Sequence, residues 1–203
     1  MPRAAGQIDR AKNEAILDAA AEILSERGLS APMAMIARKA QVSKQTIYNH
    51  YGAKLDLIQA LVQRRVQTLT APLIEPGAEE NPEDALTEFA RIVLRMLSYY
   101  KGHGIMRLSV QSSADMPNLA RDVYQLGPRI TLKRLADFMQ AEMDAGRMDK
   151  GDPMEAAEMF AGMASGHKQI AAIMGCPVTM DEESIDALAR RIAQRFMRAY
   201  APR

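Results

Sequence analysis

Residues 36–51 constrain the fold more than any other stretch of this 203-residue chain. Ile36 and Ala37 open an apolar face, Val42 and Ser43 close a turn, and Ile47 follows the serine by four residues. Ser43 suits a helix N-cap, because its hydroxyl can accept from an orphan N–H of the next turn. Val42 and Ile47 bracket that cap as a hydrophobic staple. With Ile36, Ala37, Val42 and Ile47 turned inward, Lys44, Gln45, Thr46, Tyr48, Asn49 and His50 stay on or near the outer surface. A short helix with so little apolar area is not explained by a core alone. Its amides, hydroxyls and cations have the reach and chemistry for a DNA major groove.

The neighbouring residues fit such an element into a helical framework. Ile16, Leu17, Ala20, Ile23 and Leu24 recur at helical spacing and stop at Gly28, the residue that ends helices most readily. Downstream, Lys54 restarts a helix whose stripe continues through Leu55, Ile58, Leu61, Val62 and Leu69. The order is a supporting helix, a helix pair joined by a turn, and a long connecting helix.

These residues make the chain resemble the TetR family of transcriptional regulators. The resemblance is carried by residues 16–20, by Glu26, Arg27, Gly28 and Leu29, by Ile36 and Ala37, by Val42, Ser43 and Lys44, by Thr46, Ile47 and Tyr48, and by His50, Tyr51 and Lys54. It implies an N-terminal helix-turn-helix DNA-binding domain, here residues 1–55, and a C-terminal helical ligand-binding and dimerisation domain, residues 56–203. By position, it assigns Thr46, Tyr48, His50 and Lys54 to the DNA backbone and Lys44, Gln45 and Asn49 to the bases. The chemistry agrees: an amide pairs a donor with an acceptor, as an adenine edge does, and a threonine methyl can touch thymine. Two departures stand out. Gln41 occupies the turn position usually held by glycine, which requires a left-handed or bridge conformation. The interval from Gly28 to Ile36 is one residue short, with Pro32 expected in the first helical turn and Ser30 or Ala31 as its cap.

A net charge of +1 does not by itself mark a nucleic-acid binder, but the charge is unevenly placed. Residues 1–55 hold eight Lys and Arg against five Asp and Glu, leaving +3 there and −2 on the remainder. A basic end on a near-neutral body is what phosphate binding asks for. Residues 1–6 read as neither signal peptide nor anchor, and Arg3 fits a basic arm. No apolar window reaches membrane-spanning length. The single cysteine, Cys176, excludes an internal disulfide and fits a cytoplasmic protein; such a residue is expected to be buried. His50, His103 and His167 lie far apart, so no metal-ligand spacing arises. No catalytic residues, metal site or cofactor are indicated.

Beyond Leu69 the sequence is all-α. Prolines and glycines at 71–82 mark a loop, followed by helices at 83–100, 105–114, from 117, 131–145, 153–174 and 181–200. Pro117, Asn118, Leu119, Ala120, Arg121, Tyr124, the run 126–129, residues 146–148, Asp152, Pro153, Ala156, Ala157, Phe160 and Gly166 resemble the C-terminal domain of AefR-like members. That resemblance implies a ligand-responsive domain and a homodimer formed by the last two helices. Ile185, Leu188, Ala189, Ile192, Phe196 and Tyr200 supply a stripe for such packing, with Ala157, Ala161, Gly162, Ala164 and Gly166 allowing close approach. Fifteen methionines suit a pocket adaptable to a small hydrophobic or amphipathic effector. Met96, Tyr100, Met106, Phe138, Met163 and His167 are the candidate lining residues. The sequence therefore predicts a homodimeric repressor that binds a palindromic double-stranded DNA operator and is released by its effector. The alternative is a helical small-molecule-binding protein or enzyme that no longer binds DNA.

Overall fold

A computed structural model describes residues 10–98 and 104–202. Among these, ten α-helices and one short 3-10 turn account for the regular structure, with no strand. The helices are α1 (Arg10–Arg27), α2 (Met33–Lys39), α3 (Lys44–Tyr51), α4 (Lys54–Thr70), α5 (Pro82–Ser98), α6 (Gly104–Gln111), α7 (Pro117–Leu126), α8 (Pro128–Asp144), α9 (Pro153–Ile173) and α10 (Glu182–Ala199). They form two compact units, and the boundary is not a single cut near residue 55. The first unit takes residues up to Arg64 together with Gly104–Val123; the second takes the chain from Arg65 and from Tyr124 onward.

The first unit is built on the apolar face of α1. Ile16, Ala20, Leu24, Ile36, Ile47 and Leu57 are shut off from solvent. Sequence reasoning assigned α6 to the C-terminal domain, yet it packs on α1 because Gly104 has no side chain. A Cβ at Gly104 would stand 2.4 Å from the Ser25 Cβ and 2.9 Å from its Cα. The Arg107 guanidinium donates to the Ser25 carbonyl at 3.3 Å, completing the contact.

The second unit has a core of Phe89, Leu94, Leu135, Met139, Phe160 and Phe196, all essentially buried. Phe160 meets Phe196 edge-on with ring centroids 5.0 Å apart, a favoured aromatic geometry. Salt bridges join α5 to α10: Arg91 reaches Asp186, and Arg95 lies 2.6 Å from Glu182. Asp152 caps α9 and Asp181 caps α10, each accepting from a backbone N–H at 2.8 Å.

Three sequence expectations change here. Of the α10 stripe, Ile185, Ala189, Ile192 and Phe196 are buried in this core against the aromatic cluster, while Leu188 and Tyr200 are half-buried beside it. Helix α9 is interrupted at Gly166, whose φ of 48° and ψ of −147° interrupt the helical path. Cys176 is exposed. It stands just past Gly175, which ends α9 at φ 79°, and the Cys176 N–H is tied back to the Ala171 carbonyl at 2.8 Å. That closure fixes the backbone and leaves the thiol outside.

Candidate nucleic-acid interface

The turn between α2 and α3 closes by a full set of hydrogen bonds. The Gln41 N–H donates to the Arg38 carbonyl at 3.2 Å and the Val42 N–H to the Ala37 carbonyl at 3.0 Å, the paired bonds of a Schellman helix ending. Gln41 takes φ 55° and is the one non-glycine residue with positive φ among the described residues. Of the left-handed and bridge conformations that the sequence left open at Gln41, the chain takes the left-handed one. Pro32 differs from expectation: it is itself the N-cap of α2, with φ −66° and ψ 140° and no side-chain cap bond. Ser30, one of the expected caps, donates to the Arg27 carbonyl at 3.3 Å instead.

Ser43 caps α3 as its sequence position indicates. Its Oγ accepts from the Thr46 N–H at 3.0 Å and also lies 2.8 Å from the Thr46 hydroxyl. Of the eight residues of α3, only Ile47 is buried; Lys44, Gln45, Tyr48, Asn49 and His50 are exposed. Burying one isoleucine contributes about 2 kcal/mol, whereas ordering each backbone residue costs about 1 kcal/mol. The core therefore does not hold α3 by itself; its cap and its ties to the neighbouring helices must do so.

Those ties are visible. The Tyr51 hydroxyl donates to the Asn13 side chain at 2.5 Å, linking the end of α3 to α1, and burial pushes the Tyr51 phenol above its ordinary value. Lys39 pairs with Glu22 at 2.8 Å between α2 and α1. Arg64 of α4 reaches Glu14 at 2.9 Å and Asp18 at 2.8 Å. Gly52 ends α3 at φ 75° and returns its N–H to the Tyr48 carbonyl at 2.8 Å. Asp56 then accepts from the Ala53 N–H at 2.9 Å. This is the acidic half of a capping box, which sequence inspection missed because Ala53 lacks the usual hydroxyl.

The exposed side chains of α3 are themselves paired one turn apart. The Gln45 amide donates to Asn49 Oδ1 at 2.7 Å, and the Lys44 ammonium sits 5.4 Å from the centre of the Tyr48 ring. The His50 ring stands edge-on to Tyr51 at 4.6 Å. Lys54 is placed differently from the other predicted contacts. It is half-buried, and its ammonium donates to the carbonyls of Leu29 and Ala31. Burial holds its pKa below the usual lysine value. Two of its three donors thus fasten the start of α4 to the loop before α2.

The candidate effector residues are scattered. Met106 is half-buried on α6 of the first unit, whereas Met96 is half-buried on α5 of the second. Phe138 belongs to the second unit's core, and Met163 and His167 are exposed on α9. Tyr100 lies outside the described residues. An apolar cleft in the first unit, lined by Leu24, Leu29, Ile58, Ile105, Leu108 and Val123, includes none of them. Its enclosed space is about that of one water molecule. Among the described residues, no cluster of His, Cys, Asp and Glu could hold a metal ion. Nor is any described helix long and apolar enough to cross a membrane.

Comparison with known proteins agrees with this architecture. Residues 16–61 match the family of bacterial regulatory proteins of the tetR type. Residues 84–202 match the C-terminal domain of AefR-like transcriptional repressors. The chain is 26% identical over 159 residues to YvkB, an uncharacterized HTH-type transcriptional regulator of Bacillus subtilis (strain 168), covering 78% of this chain and 82% of that protein. Among solved structures, the flavonoid-responsive regulator FrrA is 31% identical with a TM-score of 0.67, covering 95% of this chain and 98% of FrrA. A TetR-family structure from Mesorhizobium loti MAFF303099 shares the fold at a TM-score of 0.76 and 24% identity, covering 96% and 100% of the two chains. A capped, outward-facing α3 on an α1–α2 framework, joined to an AefR-like helical domain, makes this chain a member of the TetR family of transcriptional regulators.

Proposed function

We propose that the protein is a homodimeric repressor that binds a palindromic operator through α3 and leaves it when a small apolar or amphipathic effector binds the second unit. The observation that carries this reading is α3 itself: a capped helix with one buried side chain and five exposed cationic, amide and aromatic ones. Lys44, Gln45 and Asn49 face base edges, while Thr46, Tyr48 and His50 meet the backbone. Lys54 has one remaining N–H for a phosphate and otherwise braces the site. The two departures from the family pattern, Gln41 and the short entry to α2, leave the turn's hydrogen bonds intact.

A two-fold dimer places two such helices about 34–36 Å apart, one turn of duplex. Support for self-association comes from exposed apolar residues along α9 and at its C-cap: Met159, Met163, Ile170 and Met174 are 42–75% accessible. On this reading Met163 serves the dimer face, not the pocket. Met96 is the half-buried methionine of α5 from which a search for the effector site starts. Release requires the effector to prefer one spacing of the two reading helices over the other. Helix α4 is the candidate lever, since its residues are shared between the two units. FrrA, 31% identical, is a flavonoid-responsive regulator, so flavonoids are the first effector class to test.

A mobility-shift titration on the DNA flanking the protein's own gene, with and without a flavonoid panel, tests the proposal. A sequence-selective shift abolished by one compound supports it. No shift on any flanking fragment at low salt refutes it.

A further inference from the structure

Gln45 and Asn49 occupy consecutive turns of the same exposed face of α3 and are joined by a 2.7 Å hydrogen bond. One amide N–H of Gln45 and one lone pair of Asn49 Oδ1 are thereby used. That bond leaves the Gln45 carbonyl and the Asn49 NH2 group wholly free, while each engaged group keeps one further N–H or lone pair. Swapping the sense of the bond exchanges the two roles but leaves the same outfit, one carbonyl acceptor and one NH2 donor. We propose that the bonded pair reads a single base as one unit, and that the base is adenine.

The chemistry of the major groove makes the choice. Adenine offers an N7 acceptor beside an N6 donor; guanine offers two acceptors, cytosine one donor, and thymine one acceptor and a methyl group. Only adenine matches one acceptor and one donor presented side by side. Two separate amides would each be free to read adenine independently, at two positions. Their mutual bond couples them, because each side chain's position is set by the other and engaging one constrains its partner. It also reduces the side-chain entropy lost when the base is engaged, because both rotamers are held beforehand. Ser43 and Thr46 fix the turn on which the pair stands, the hydroxyls 2.8 Å apart. This inference rests on the DNA-binding reading above and adds to it a base identity and a coupling.

The test starts from an operator selected from a random duplex pool by the full-length wild-type protein. Each position of the half-site is then replaced in turn, and binding is measured for wild type, Gln45→Ala, Asn49→Ala and the double variant. Both side chains are exposed, and alanine favours helix, so α3 is retained. The expected result is one adenine preferred roughly tenfold to a hundredfold by wild type. Both single variants lose that preference at the same position, and the double variant loses no more than either. Replacing that adenine with 7-deazaadenine, which lacks the N7 acceptor, costs wild type as much as a base change and costs either variant nothing. Losses at two different positions, additive losses, or a preferred base other than adenine would overturn the inference while leaving DNA binding in place. Failure of wild type to enrich any sequence would instead defeat the functional reading.

Discussion

At the scale of single residues, two side chains near α3 carry opposite burdens. Gln41 holds a left-handed backbone that glycine adopts without strain, at φ 55°. Its side chain is exposed, so nothing packed is lost when it is removed. Gln41→Gly should therefore stabilise the protein by about 1 kcal/mol, raising the melting temperature by about 2–4 °C in a thermal unfolding scan. An unchanged or lower melting temperature would show that the turn is not strained. Lys54 is the reverse case. Its family position points to phosphate, while its ammonium is engaged with the Leu29 and Ala31 carbonyls. Lys54→Ala should cost about 1 kcal/mol of stability in addition to any loss of DNA affinity, seen as a lower denaturant midpoint. If the variant unfolds like wild type, the lysine serves DNA alone. The family pattern disclosed a left-handed or bridge backbone at Gln41, because glycine usually holds that turn position. It did not disclose the role of Lys54, because the carbonyls that hold it lie 23 and 25 residues away.

At the scale of helices, local signals were legible where a capping residue or a glycine spoke for itself. Ser43, Asp152 and Asp181 each accept the N-terminal bond their positions suggest. Gly28, Gly146 and Gly175 follow α1, α8 and α9 with positive φ. Packing partners were not legible. The apolar stripe of α10 by itself suited an internal core, and only the family resemblance turned it toward a partner subunit, since hydrophobic periodicity names a face and not its neighbour. The assignment of α6 to the first unit hinged on Gly104, whose close neighbour Ser25 lies far off in the sequence. Gly104→Ala would set a methyl group 2.4 Å from the Ser25 Cβ, and α6 would have to shift away from α1. A destabilisation of about 1–3 kcal/mol is expected in chemical unfolding. Wild-type stability in that variant would show that the α1–α6 contact yields freely.

At the scale of the whole molecule, the account needs two copies of the chain. The outward face of α9 carries Met163 and Ile170, 42% and 55% accessible. The double change Met163→Glu and Ile170→Glu should convert a dimer to a folded monomer in sedimentation, with the helical circular-dichroism signal retained. A variant that stays dimeric would move the interface elsewhere. The central claim is that the exposed face of α3 selects DNA sequence, and fluorescence-anisotropy titration at about 0.15 M salt tests it most directly. Wild type and Lys44→Ala are compared on the selected operator and on a scrambled duplex of the same composition. Lys44 is exposed over the Tyr48 ring, so its removal should leave the melting temperature unchanged. Wild type should prefer the operator by about a thousandfold or more, and Lys44→Ala should lose about tenfold of its operator affinity. Equal binding of both duplexes by wild type, or an undiminished operator preference in Lys44→Ala, would contradict the account.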